Sequence, residues 1–171
     1  MPIYRRNYVQ GGTYFFTVNL QNRKSSLLTD QIELLRSVVH QTKSESPFQI
    51  NAWVVLPDHM HCIWTLPRND KNFPGRWKQI KTLFCYRLRK NCKGTIYRKI
   101  WQRGYWEHTI KSESDFAAHL NYVHINPVKH GHVAKVVDWP YSTFHYYVSK
   151  GFYQKGWAGE NERLNKFEFG E

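Results

Sequence analysis

The sequence is most informative first in what it is short of. No apolar run in its 171 residues approaches the roughly 20 needed to cross a bilayer, so a membrane-spanning role is not expected. Cysteine is scarce: Cys62, Cys85 and Cys92 make an odd count without paired spacing, which argues against a disulfide framework or a zinc ribbon and suits a reducing, cytosolic setting. The opening MPIYRRNYVQGG lacks the apolar centre of a secretory signal. There is no P-loop, no internal repeat and no low-complexity linker. Acidic residues are few, 13 Asp+Glu against 25 Lys+Arg.

What is present follows from that imbalance. A net charge of +12 and a pI near 9.7 point to a polyanionic partner, because basic side chains near phosphates release condensed counterions. Nucleic acid is favoured over a membrane surface. The apolar content of 41% and aromatic content of 16% are too high for a disordered chain and sufficient for one folded domain.

Residues 12–20 (GTYFFTVNL) are aromatic and β-branched and read as a strand. Thr29 or Asp30 can cap a helix running to about Lys43, with Ile32, Leu35 and Val39 inward and Pro47 beyond its end. Residues 48–56 form a second strand, Pro57-Asp58 a turn, and residues 59–66 a third strand, together a hairpin. Pro74 opens a helix to about Asn91, residues 101–110 suggest a further strand, and Ser112 or Ser114 can cap a last helix that stops where Asn126 meets Pro127. This order predicts an α+β domain with a mostly antiparallel sheet. It covers residues 1–150, and residues 151–171 form a tail whose aromatics, including Trp157, Phe167 and Phe169, suit partial docking.

Two short motifs carry chemistry. Strand residues two apart share a face, so Met60, Cys62, Trp64 and Leu66 form an apolar side while His59 and His61 open the other. Two adjacent imidazoles can both donate a ring nitrogen to one metal ion; equally, a His-x-His can be an ordinary pair on a half-exposed strand. Asp58 adjoins the pair and can ligate too, but its place in a Pro-Asp turn reads first as a turn former. In the last helix, at 100° per residue, Phe116, Leu120 and Val123 define a core-facing stripe. Tyr122 and Asn126 lie beside it and project from the helix edge, with His119 between them and the core. That arrangement can offer a nucleophile and a third metal ligand to one place, or can be core-edge packing with a helix end.

Pro57-Asp58-His59-Met60-His61, followed by Tyr122-Val123-His124-Ile125-Asn126-Pro127-Val128, resembles the REP-associated tyrosine transposases, bacterial members of the HUH single-tyrosine superfamily. The likeness extends from Tyr4-Arg5-Arg6 to Trp157-Ala158-Gly159. It implies a ferredoxin-like HUH fold that cleaves and rejoins single-stranded DNA beside palindromic hairpins, without an external energy source. It also implies a bacterial, cytoplasmic and nucleoid-associated setting and, as the leading expectation, a monomer, with a dimer not excluded. By resemblance His59 and His61 are metal ligands for Mg²⁺ or Mn²⁺, and Tyr122 is the nucleophile forming a 5′-phosphotyrosine link. Asn126 takes the place of a polar third ligand that is often Gln. Trp106-Glu107-His108 matches a family segment with no assigned role; Glu107, His108 and His119 are candidate supporting residues.

For DNA contact, Lys78, Lys81 and Arg89 share an arc of the helix beginning at Pro74, and Arg5, Arg6, Arg98, Lys99, Arg103 and Lys129 add charge elsewhere. Tyr97, Trp101, Tyr105 and Trp106 are candidates for stacking on unpaired bases. A relaxase or replication initiator of similar chemistry, and a non-catalytic nucleic-acid-binding module, are the competing readings.

Overall fold

A computed structural model describes residues 5–94 and 99–159; Tyr4, Tyr97, Arg98, Phe167 and Phe169 lie outside that range. Strand β1 (Thr13–Asn19) leads to helices α1 (Leu27–Asp30) and α2 (Ile32–Glu45). The hairpin of β2 (Gln49–Val55) and β3 (His59–Thr65) follows, then α3 (Phe73–Asn91), β4 (Trp106–Thr109) and α4 (Glu113–Lys129). A 3-10 turn (Val136–Asp138) and α5 (Phe144–Ser149) complete the described elements. The sheet order is β2-β3-β1-β4 with every adjacent pair antiparallel, so two β-helix-β units interleave as in the ferredoxin-like topology.

The pleat sorts the sheet's side chains into two cores. Tyr14, Phe16 and Val18 of β1 join Met60, Cys62 and Trp64 of β3 beneath α2 and α3, including Phe73, Trp77, Ile80, Phe84 and Leu88. The opposite parity, Phe15 with Ile63, Ala52 and Val54, meets Tyr122 and Val123 of α4. Both faces being covered explains why β1 and β3 are buried almost throughout. Each large apolar side chain so buried contributes roughly 1.5–3 kcal/mol. The outer edge of β2 is closed by residues 139–143: Val55 N–H donates to Tyr141 O (2.9 Å) and Thr143 N–H to Trp53 O (2.9 Å), which removes an exposed edge.

Arg76, 3% exposed, ties the start of α3 to the turn before β2. Its guanidinium donates to Ser46 O (3.0 Å), Pro47 O (2.6 Å) and the Asp70 carboxylate (2.7 Å).

Several local expectations are revised. The helix expected from Thr29 or Asp30 is two helices, broken at Gln31 (φ −112°, ψ 33°), and both residues lie inside α1 rather than capping α2. The strand expected over 101–110 shortens to β4, because Gly104 turns the backbone with φ 78° and Trp101 makes only an isolated bridge to Leu20. Ser112 caps α4, its Oγ accepting from Asp115 N–H (3.1 Å). The helix does not stop at Asn126 but carries Pro127 inside its last turn to Lys129; proline's φ is helical, so the cost there is one lost backbone bond.

The tail is docked where it is described. Tyr153 packs on Phe144 and Trp157 (ring centroids 5.3 and 4.7 Å), and its hydroxyl donates to Asn121 Oδ1 (2.7 Å).

Candidate active site

The site lies between β3 and α4. His59 and His61 are on the β3 face that α4 covers, and they are 1% and 0% exposed, not half exposed. Their rings stand edge to face with centroids 5.0 Å apart. Each has its Nδ1 occupied. That of His59 bonds the Asp58 carboxylate at 2.8 Å, and that of His61 meets Thr17 Oγ1 at 2.8 Å. Thr17 is the β1 residue directly opposite His61. Arg23 grips the other Asp58 oxygen at 2.6 Å. Burial alone would raise the Asp58 carboxyl, but the His59 hydrogen bond and the Arg23 charge hold it below its ordinary value. An anionic Asp58 fixes the proton on His59 Nδ1, so His59 Nε2 presents a lone pair. That Nε2 is buried and has no hydrogen-bond partner among the described residues.

Helix α4 is rotated relative to the expected stripe. Val123 is fully buried, but Phe116 and Leu120 are only half-buried. Asp115, His119, Tyr122 and Asn126 are among the buried positions instead, a row at helical spacing. Tyr122 therefore does not project from the helix edge: it is 2% exposed. Its ring meets His61 edge to face at 5.2 Å and Phe15 at 6.0 Å. Its hydroxyl accepts from Lys129 Nζ at 3.0 Å, and the same ammonium lies 4.7 Å from the ring centroid. Asn126, one turn on, is fully buried, and its carbonyl accepts from His130 N–H (3.0 Å). His130, exposed at the mouth of the site, sets its ring 4.9 Å from that of His59.

Over residues 8–126, a span holding His59, His61, Tyr122 and Asn126, the sequence matches the family model for transposases of the IS200-like type. The chain belongs to the IS200-like transposase family. A REP-associated tyrosine transposase of Escherichia coli (strain K12) is 50% identical over all of this chain and 98% of its own length. A Haemophilus influenzae (strain ATCC 51907 / DSM 11121 / KW20 / Rd) protein, described with reservation as the same, is 46% identical over 93% of this chain and 94% of its own. A solved structure of a REP-associated tyrosine transposase bound to a REP hairpin superimposes with a TM-score of 0.91 at 50% identity, covering 100% of this chain and 98% of that one.

The basic residues of this transposase divide between the two sides of the sheet. Lys78 and Arg89 are exposed on α3, the side opposite Tyr122. Lys81 is half-buried beside them, donating to Gln102 O (3.1 Å) and Gly104 O (2.6 Å). Desolvation and the nearby Arg6 charge bring its ammonium down to about 8. Lys81, Arg89, Lys90 and Tyr86 line an open concavity of about 810 Å³. Arg5 and Arg103 are exposed. Arg6 pairs with Glu107, which is 2% exposed, and lies 4.1 Å above the Tyr105 ring. Trp101 is buried in the α3-side core with the half-buried Tyr105 against it, and the half-buried Trp106 packs against the α4-side core. No helix among the described residues is long and apolar enough to cross a membrane.

Sequence reading missed Asp58 as the holder of His59, Thr17 as the partner of His61, and Arg23 behind both. Asp58 was visible only as an acid adjoining a histidine; Thr17 required the β1–β3 register. A group of His/Asp ligands able to hold a metal also exists at His108, Asp115 and His119.

Proposed function

We propose that the chain is a metal-dependent single-stranded DNA endonuclease and strand transferase that works beside hairpins of the REP type, with Tyr122 as nucleophile. The observation carrying this reading is the packing of Tyr122 edge-on against His61, beside a histidine whose buried Nε2 has no hydrogen-bond partner among the described residues. Such an acceptor suits a cation. His59 and His61 would hold Mg²⁺ or Mn²⁺, with Asn126 as a third ligand, and the amide–imidazole set leaves positions for phosphate and water. When bound, the ion would polarise the phosphodiester and stabilise negative charge on its oxygens.

The chain's own part is to hold the phenol and aim it. A phenol with an ordinary pKa of about 10 is mostly protonated at neutral pH, so its activation depends on surroundings. Tyr122 Oη forms a bond to phosphorus as the bond to the 3′ oxygen breaks. The phenolic proton is lost and the departing 3′ oxygen gains one, leaving a 5′-phosphotyrosine and a free 3′-hydroxyl. Because one phosphoester replaces another, a second 3′-hydroxyl can reverse the step and join strands. Lys129, which covers the phenol, moves to the incoming phosphate when DNA enters.

Exposed Arg5, Lys78, Arg89 and Arg103 supply backbone contacts, with Lys81 and Arg6 bracing the surface between them. Residues 1–150 act as the catalytic domain, residues 151–171 as an appended tail, and a monomer carries a complete site. A bacterial cytoplasmic location at the nucleoid fits a DNA substrate and three unpaired thiols.

The test is a hairpin oligonucleotide labelled at its 3′ end and incubated with the protein and Mn²⁺. A denaturant-resistant labelled protein is expected, absent with chelator and absent from Tyr122→Phe. Adduct at the unaltered level in Tyr122→Phe would remove Tyr122 as the nucleophile.

A further inference from the structure

A second group of ligand-type side chains lies on the same side of the sheet, across β1 from the histidine pair. His108 of β4 stands opposite Phe15 of β1, which turns it toward α4. Asp115 and His119 are four apart on α4 and meet it from above. The two imidazoles stack at 4.5 Å with planes 9° apart, and both aim a nitrogen at one carboxylate. His108 Nε2 is 2.9 and 3.1 Å from the Asp115 oxygens, and His119 Nδ1 is 3.0 Å from Asp115 Oδ1 and 2.9 Å from the Asp115 main-chain carbonyl. One ligand atom from each residue falls within 4.8 Å of the others.

The donor types in the group suit a cation. Two imidazoles and one carboxylate, with a position left open, are the ligand set of catalytic zinc sites. The Phe15 ring packs against both His61 (5.6 Å) and His119 (4.8 Å), so an apolar ring separates this group from the His59–His61 pair.

We propose that His108, Asp115 and His119 form a second metal site, selective for Zn²⁺ or a similar first-row dication, that clasps edge strand β4 to the first turns of α4. The clasp holds the helix that carries Tyr122 two turns further on. It stands or falls separately from the nucleophile assignment.

Zinc content of metal-stripped, reloaded full-length chain tests it, using a His59→Ala/His61→Ala background to silence the other histidines. About one equivalent of zinc is expected to remain there and to be lost when His108→Ala is added. The half-exposed His108 makes that variant foldable, which circular dichroism verifies. In the unaltered chain, saturating zinc is expected to protect His108 from diethylpyrocarbonate, read by peptide mass. Zinc content unaffected by His108→Ala, or a His108 modified equally with and without zinc, would mean a plain hydrogen-bonded triad and overturn the proposal.

Discussion

His59 owes its presentation to a neighbour in sequence. Asp58 takes its Nδ1 at 2.8 Å while Arg23 steadies the same carboxylate, so the ring cannot flip or change tautomer without losing an ion-assisted bond. Replacing Asp58 by Asn keeps the shape but removes the charge. Mn²⁺ affinity, measured by titration calorimetry, is expected to fall about 10–100-fold; an unchanged affinity would separate Asp58 from the metal. At this scale the sequence was partly transparent. The His-x-His alternation and the Tyr122–Asn126 spacing are local facts of strand and helix and could be read directly. The Thr17–His61 bond depends on which β1 residue stands opposite which β3 residue, and the Lys129–Tyr122 bond on a side chain folding back over two turns. Neither leaves a pattern in the chain.

Among the elements, α4 does the most with the least regular sequence. Its buried row of Asp115, His119, Tyr122 and Asn126 is polar, so a hydrophobic stripe through Phe116, Leu120 and Val123 predicts its rotation poorly. Its start was legible, because Ser112 is a typical side-chain cap. Ser112→Ala is expected to cost about 1 kcal/mol, seen as a lower midpoint in urea, and a change within error would mean that sheet packing alone sets the helix start. Its end was not legible, since Pro127 biases against a helical Asn126 without forbidding it. On the opposite face, the buried Arg76 joins three segments through part-buried bonds to Ser46, Pro47 and Asp70. Arg76→Ala leaves three carbonyls, those of Ser46, Pro47 and Asn72, and a carboxylate without that donor. It is expected to lower stability by about 3 kcal/mol, with full retention of stability as the contrary result. The hairpin, β1 and α3 followed from periodicity; the short β4 and the break at Gln31 did not, because backbone turns at Gly104 and Gln31 decide them.

For the whole molecule, charge and topology set the terms of DNA binding. A net +12 distributed over both sides of the sheet suits a strand that wraps rather than one that docks on a flat face. Single-strand affinity should fall with salt at a log–log slope of about −0.7 for each phosphate contacted. Changing Lys78 and Arg89 to Gln should flatten that slope while leaving covalent chemistry on saturating DNA in place; an unaltered slope would move DNA off α3. Lys81 adds a pH signature. Its ammonium releases its proton at about 8 in the folded chain against 10.5 for the free group. Between those values the unfolded chain binds the extra proton, so stability rises as pH climbs from about 8 toward 10.5. Thermal midpoints at pH 7.5 and 10 should show that rise in the unaltered chain relative to Lys81→Met; parallel profiles would contradict the burial of a charged Lys81.

Topology also brings three segments distant in sequence to one place, the opening of β3, the middle of β1 and the second half of α4. Peptide mass mapping of the trapped protein–DNA adduct examines that convergence at the atom where it matters. After digestion, the peptide containing Tyr122 should carry the mass of the 5′-phosphorylated DNA fragment on its phenolic oxygen. Recovery of that mass on any other residue, with Tyr122 unmodified, would contradict it.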